Sequence, residues 1–273
     1  PVTAFAWSAD GTHVLVRSAT GSWSDQPLGA APAALGIGGE WADFLAPGRG
    51  YAFLDQGALQ ILAPDGTRVP VATDVTAAAV DPAGDRIAFV TRDPSGFEID
   101  GYDADLHAHY RLQAEPEAID GLSWSADGQS LAYRVAAADP THRQIKVRSL
   151  HDGTTTTVAV GDVATPTWEA DSQHVTFVAI VAAPGGSVSK AFQFAVSDGL
   201  RHVLSASAGL PAGQVTAVDE VSPSPDGHQL AIVSTSGGRQ EVWTMNVDGT
   251  GLSRLTDPAG FPYSCRDVAW TPS

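Results

Sequence analysis

A chain of 273 residues that is 43% hydrophobic can bury a sizeable core, which excludes a disordered segment. Its net charge of −16 at pH 7, with Lys146 and Lys190 as the two lysines, repels phosphate backbones and excludes nucleic acid as a partner. Cys265 is the single cysteine, so no intramolecular disulfide and no Cys/His zinc cluster can form, and no apolar run reaches the length of a membrane span.

The chain starts without Met, at Pro1, directly on a strand-like segment, and no signal peptide is visible. Such a start suggests a fragment, or a mature chain cut from something longer. The first predicted strand ends at Trp7, and the turn Ala9-Asp10-Gly11 follows. Asp tolerates turn geometry and accepts a local backbone hydrogen bond, while Gly supplies a positive φ at no steric cost. Val14-Leu15-Val16 then opens a second strand, and the remainder of this unit, around Ser22–Leu28, is degenerate.

The same order returns along the chain. The second unit runs from Phe44 through Gly48 to Tyr51-Ala52-Phe53 and a second turn, Pro64-Asp65-Gly66. The third runs from Val80 through Gly84 to Ile87-Ala88-Phe89 and Asp103-Ala104-Asp105. The fourth repeats the pentapeptide of Trp7–Gly11 at Trp124–Gly128, then Leu131-Ala132-Tyr133 and His151-Asp152-Gly153. The fifth has Trp168, Ser172 in the glycine place, Val175-Thr176-Phe177 and Ser197-Asp198-Gly199. The sixth has Pro223, Gly227, Leu230-Ala231-Ile232 and Val247-Asp248-Gly249. A seventh anchor segment lies at Arg266–Trp270.

Large, small, large after each first turn is a strand period of two. Each unit therefore holds four short strands joined by hairpins. A four-stranded antiparallel unit of about 40–50 residues, repeated six times, predicts an all-β six-bladed β-propeller occupying residues 1–273 as a single domain. The extra anchor at Arg266–Trp270 leaves a seven-bladed arrangement as the alternative.

Pro223-Ser224-Pro225-Asp226-Gly227, Leu230-Ala231-Ile232, Val242-Trp243-Thr244-Met245, Asp248-Gly249 and Arg254-Leu255-Thr256-Asp257 together resemble the WD40-like PD40 repeat of TolB-type propellers. The likeness is good in the first and fourth units and loose in the second and fifth. The resemblance implies a protein-binding propeller of the bacterial periplasm, or the propeller of an actinobacterial LpqB-type envelope lipoprotein. Related blades gate prolyl-oligopeptidase-type hydrolases, so fold alone does not choose among these roles.

No catalytic signature is present: Gly-x-Ser-x-Gly, HExxH, a Walker loop and GxGxxG are all missing. The Asp-rich turns lack the alternate carboxylates and closing Glu of a calcium loop. His107 and His109 fall at the start of an outermost strand, while His13, His174 and His228 read as solvated neighbours of the first turns. No cofactor and no metal site is expected. The connections from second to third strand, and from fourth strand to the next unit, are expected to be the long ones: Leu28–Glu40, Gln113–Asp120, Ala136–Arg143, Ala182–Ser189, Ser205–Asp219 and Asp257–Arg266.

Loops on a rigid scaffold collect binding residues. The candidate face for a protein partner therefore carries Glu115, Glu117, Asp139, Asp219, Glu220, Asp257 and Asp267, the cations Arg143 and Arg266, and the aromatic anchors Phe261 and Tyr263. Two rival readings are a propeller lyase or glycosidase with carboxylates at the channel mouth, and a gating or sensor domain of a larger chain.

Overall fold

The computed structural model describes residues 2–184, 186–204, 217–236, 239–256 and 268–270. The chain is an all-β six-bladed propeller whose blades are four-stranded antiparallel sheets. Blade one holds β1 (Val2–Trp7), β2 (His13–Ser18), β3 (Trp23–Pro27) and β4 (Ala33–Ala34). Blade two holds β5 (Trp41–Phe44), β6 (Tyr51–Asp55), β7 (Ala58–Leu62) and β8 (Arg68–Ala72). Blade three holds β9 (Val75–Val80), β10 (Arg86–Asp93), β11 (Gly96–Asp103) and β12 (Ala108–Glu115). Blade four holds β13 (Ile119–Trp124), β14 (Ser130–Val135), β15 (Gln144–Ser149) and β16 (Thr155–Val160). Blade five holds β17 (Thr167–Trp168), β18 (His174–Ala183), β19 (Gly186–Ala195) and β20 (Arg201–Val203). Blade six holds β21 (Val218–Pro223), β22 (Gln229–Ser236), β23 (Arg239–Asn246) and β24 (Ser253–Arg254). Residues up to Trp124 form one compact unit and residues from Ser125 to Trp270 a second.

The large-small-large triplets lie on the second strand of each blade, and most of their residues are buried against a neighbouring blade of the same unit. In the first unit, Phe53 packs with Leu15, Trp23 and Ile37 of blade one, while Ala52, on the other face of β6, packs with Val75, Ile87 and Phe89 of blade three. The small position thus faces the following blade and the large positions face the preceding one. In the second unit, Phe177 meets Ala132 of blade four, and Ile232 meets Val178 and Ala191 of blade five. Blade one departs from the pattern: its small position is Leu15, fully buried, and its flanking Val14 and Val16 are half-buried.

Two of the anchor tryptophans also bond across to a neighbouring element. Trp124 Nε1 donates to the Ala79 carbonyl, one residue before the anchor of the preceding blade, at 3.1 Å. Trp270 Nε1 makes the same bond at 2.9 Å to the carbonyl of Ser222, again one residue before an anchor. The segment 268–270 therefore lies against blade six as a following first strand would, although none of its three residues is in a strand.

Two of the expected long connections are strand instead. β12 runs through Glu115 and β13 begins at Ile119, so residues 116–118 are all that remains of the Gln113–Asp120 loop. In blade five, Ala182–Ser189 lies almost wholly inside β18 and β19, paired from His174↔Ala195 to Ala183↔Gly186. Alternating small and β-branched residues there suit a long hairpin, and Pro184 sits just beyond the last paired residue of β18. The long connections at 28–40 and 136–143 are present, the first containing β4 and the second a 3-10 turn at Pro140–His142.

Candidate functional site

The tight turns commit many of the charged groups to structural roles. In blades one, four and six the residue after the anchor is a buried serine. Ser125 Oγ donates to Asp127 Oδ1 and accepts the Ser130 amide at 2.9 Å. Ser8 does the same with Asp10 and His13, and Ser224 with Asp226 and Gln229. Blade three solves the turn differently: buried Asp81 accepts the amides of Asp85 and Arg86 and pairs with the Arg86 guanidinium at 2.9 Å. Blade five uses Glu169, which accepts from Thr176 Oγ1 at 2.6 Å and from Gln193 Nε2 at 2.8 Å.

The exposed aspartates of these hairpins accept backbone amides two residues on, as Asp65 does from Thr67, Asp152 from Thr154 and Asp248 from Thr250. Such bonds favour the charged form. The Ser8 hydroxyl and the Thr12 amide draw the Asp10 carboxyl down to about 2, and the Thr154 amide does the same for Asp152. These aspartates are structural.

Glu169, Asp171 and His174 bring their ligand atoms within 4.8 Å of one another, a set that could hold a cation. Each is already bonded, however. Glu169 is held as above, and Asp171 accepts the amides of Gln173 and His174 and meets His174 Nδ1 at 2.6 Å. The three side chains hold their turn. His107 and His109 are likewise engaged: His107 Nδ1 meets the Tyr102 hydroxyl at 2.8 Å, and the His109 ring packs on Tyr102 and Phe89.

His13 is more than a solvated turn residue. Its Nδ1 meets Asp25 at 2.9 Å, and the Tyr51 hydroxyl donates to the same carboxylate at 2.8 Å. Burial, then the bond to Asp25, pushes the Tyr51 hydroxyl up to about 12. Asp25 falls in the degenerate part of the first unit, where no repeat register announces a partner for His13.

Among the candidate partner-binding residues, two pairs sit together. Asp139 caps the 3-10 turn, accepting the Thr141 amide at 2.9 Å and facing His142 Nδ1 at 3.0 Å, and these bonds hold its carboxyl below the usual range. Arg143, at the end of the same connection, pairs with Asp162 at 3.0 Å. Asp219 and Glu220 are consecutive on β21. Asp219 accepts from Thr235 Oγ1 and from Gln240 Nε2, and Glu220 Oε1 accepts the Val268 amide at 3.1 Å. Glu115 is buried at the end of β12, with Gln113 Nε2 3.5 Å from its carboxylate, while Glu117 is exposed. Asp257, Phe261, Tyr263, Arg266 and Asp267 lie outside the described residues.

One group stands apart from any expected site. Asp43, on the first strand of blade two, has only part of its surface covered, yet its carboxyl is densely surrounded by protein. Burial pushes it up to about 7 against the opposing effect of the Phe44 amide, which donates to Oδ1 at 2.9 Å.

No family model matches the chain, and no curated protein matches it. Solved structures do. A putative TolB from Agrobacterium tumefaciens superposes with a TM-score of 0.59 at 16% identity, over 83% of this chain and 84% of that one. An oligogalacturonate lyase in complex with manganese gives 0.70 at 11% identity, over 91% and 75%. A puromycin hydrolase gives 0.70 at 13% identity, covering 94% of this chain and 47% of that one. At these identities the likeness is one of fold, and it spans a TolB protein as well as two enzymes.

Proposed function

We propose that the chain is a non-catalytic protein-interaction propeller of the bacterial cell envelope, periplasmic or part of an LpqB-type lipoprotein. It engages a protein partner through the blade ends that carry the second-to-third-strand and blade-to-blade connections. The observation that supports this most is the state of the charged groups there. Arg143 pairs with Asp162, Glu220 accepts the Val268 amide, Asp139 caps its own turn and Asp219 accepts from Thr235, so these groups serve local structure, while Glu117 stands exposed. The TolB likeness and the PD40-type repeat support the envelope setting. No helix among the described residues is long and apolar enough to cross a membrane.

The test is cross-linked capture from an envelope extract with the wild-type chain, with Glu117→Lys/Asp139→Lys/Asp219→Lys, and with Asp65→Lys/Asp248→Lys at the opposite blade ends. A partner lost by the first variant and kept by the second supports the reading. Equal capture by all three overturns the assigned face. Turnover of an oligogalacturonate by the purified chain overturns the non-catalytic assignment.

A further inference from the structure

A cavity of about 650 Å³ opens in the first unit, at the end of the blades where the hairpin after β2, the connection from β4 to β5 and the hairpin after β6 meet. Arg17, Thr20, Gly21, Ser22, Gly38, Glu40 and Asp55 are among its lining residues. Its large apolar members, Trp23 and Ile37, are each only 3% exposed, so the surface offered to a ligand is mainly polar.

The charged side chains that line it are not paired with one another. Arg49, Arg86, Arg111, Arg143 and Arg254 each pair with a carboxylate. Arg17, Glu40 and Asp55 form no ion pair with any described residue. Arg17 Nε donates to the Gly39 carbonyl at 2.6 Å and Nη1 to Thr3 Oγ1 at 3.0 Å, which fixes the guanidinium. Its remaining nitrogen, Nη2, lies 3.4 Å from where a Cβ of Gly21 would be, and glycine leaves it uncovered. Glu40 follows Gly39 directly, and its Oε2 lies 3.4 Å from the Gln56 amide, beside Asp55. A fixed cation and a pair of carboxylates thus flank one segment of chain.

Volumes of this order suit small molecules, and convergent polar groups set which ones. We propose that this cavity binds a zwitterion of the amino-acid or short-peptide class. Arg17 Nη2 takes the ligand carboxylate, Glu40 and Asp55 take the ammonium, and Thr20 and Ser22 supply hydroxyls. The ligand brings both charges that the site leaves unmatched, and charge-assisted bonds of this kind are the strong ones. This site is independent of the protein-partner reading, and either can fail alone.

The experiment is calorimetric titration of the purified chain at millimolar concentrations of L-glutamine and of L-alanyl-L-alanine, with putrescine and succinate as controls that carry charge of one sign only. Binding of at least one zwitterion, with the controls weaker by about tenfold or more, is the expected result, and the two zwitterions separate the amino acid from the peptide. Asp55→Asn weakens binding by about tenfold. Gly38→Leu abolishes it by filling the space, because Gly38 has ordinary backbone geometry and its Cβ would meet only the Gly21 carbonyl, at 3.7 Å. No heat from either zwitterion, a control that binds equally well, or full binding by a folded Gly38→Leu variant overturns the proposal.

Discussion

Ser125 illustrates how a single hydroxyl can decide a turn. It is fully buried and bridges the Ser130 amide to the Asp127 carboxylate. Burial pushes the Asp127 carboxyl up, but the Ser125 hydroxyl and the Gln129 amide outweigh it and leave the group lowered. Ser125→Ala strands the amide and should cost about 1–3 kcal/mol in urea unfolding, while a change at an exposed hydroxyl, such as Thr20→Ala, stays near zero. Two opposite pH effects follow at this scale. Asp10 and Asp152 are lowered to about 2, so their stabilising bonds are present above the unfolded carboxylate pKa and are lost as pH falls from about 4 through 2. Asp43 is raised to about 7, so between about 4 and 7 the folded state keeps a proton that the unfolded state has released, and stability falls as pH rises. Asp43→Asn should therefore flatten the stability curve from pH 4 to 7, measured by urea midpoints, and leave the acid limb unchanged. The Asp-Gly turns were legible in the sequence because the residue types name their own conformation. The Ser-x-Asp bridge and the His13–Asp25–Tyr51 cluster were not, since one depends on the burial of a serine that the turn pattern does not single out and the other on three separate strands.

At the scale of elements, glycines distinguish a turn that faces solvent from one that meets a neighbouring blade. Gly66 and Gly84 both have positive φ, but a Cβ on Gly66 meets nothing within 4 Å, while one on Gly84 would come within 2.2 Å of the Ala46 amide nitrogen of blade two. Ala46 N also donates to the Gly84 carbonyl at 3.0 Å. Gly66→Ala should cost about 1–2 kcal/mol from backbone strain alone. Gly84→Ala should cost about 1–3 kcal/mol more, because backbone must shift to admit the methyl group. Denaturant midpoints of the two variants give the comparison directly. Trp124→Phe removes the donor to Ala79 while keeping an aromatic ring, and should cost about 1 kcal/mol by the same measurement. The strand count and order could be read from the repeat, whereas the lengths of the β11–β12 and β18–β19 pairs could not. Length beyond the shared register is fixed by pairing with a partner strand, and the residues at 113–115 and 182–189 carry too little periodicity to announce it.

For the whole molecule, repetition is what made the architecture readable: six imperfect copies average out the departures of any one. Binding is different, because each connection occurs once and has no second copy to check it against. That is why the aromatic pair Phe261 and Tyr263 stays an expectation, and why the cavity beside Arg17, built from a degenerate copy and a glycine-rich connection, left no pattern to find. The net charge of −16 argues that a cationic protein partner associates quickly at low salt. Its association rate should fall by about tenfold or more between dilute and half-molar salt, read by stopped-flow fluorescence, while an uncharged surface would show little change. The varied answers to one recurring turn carry a last consequence for anyone recombining these blades. Ser125 with Asp127, Asp81 with Arg86, and Glu169 with Thr176 and Gln193 are closed vocabularies. A chimera that transplants Asp81 or Glu169 without its correspondents would import an orphaned negative charge into a dry seam, so the interchangeable part is the whole hairpin with its second strand, and for blade five the third strand as well.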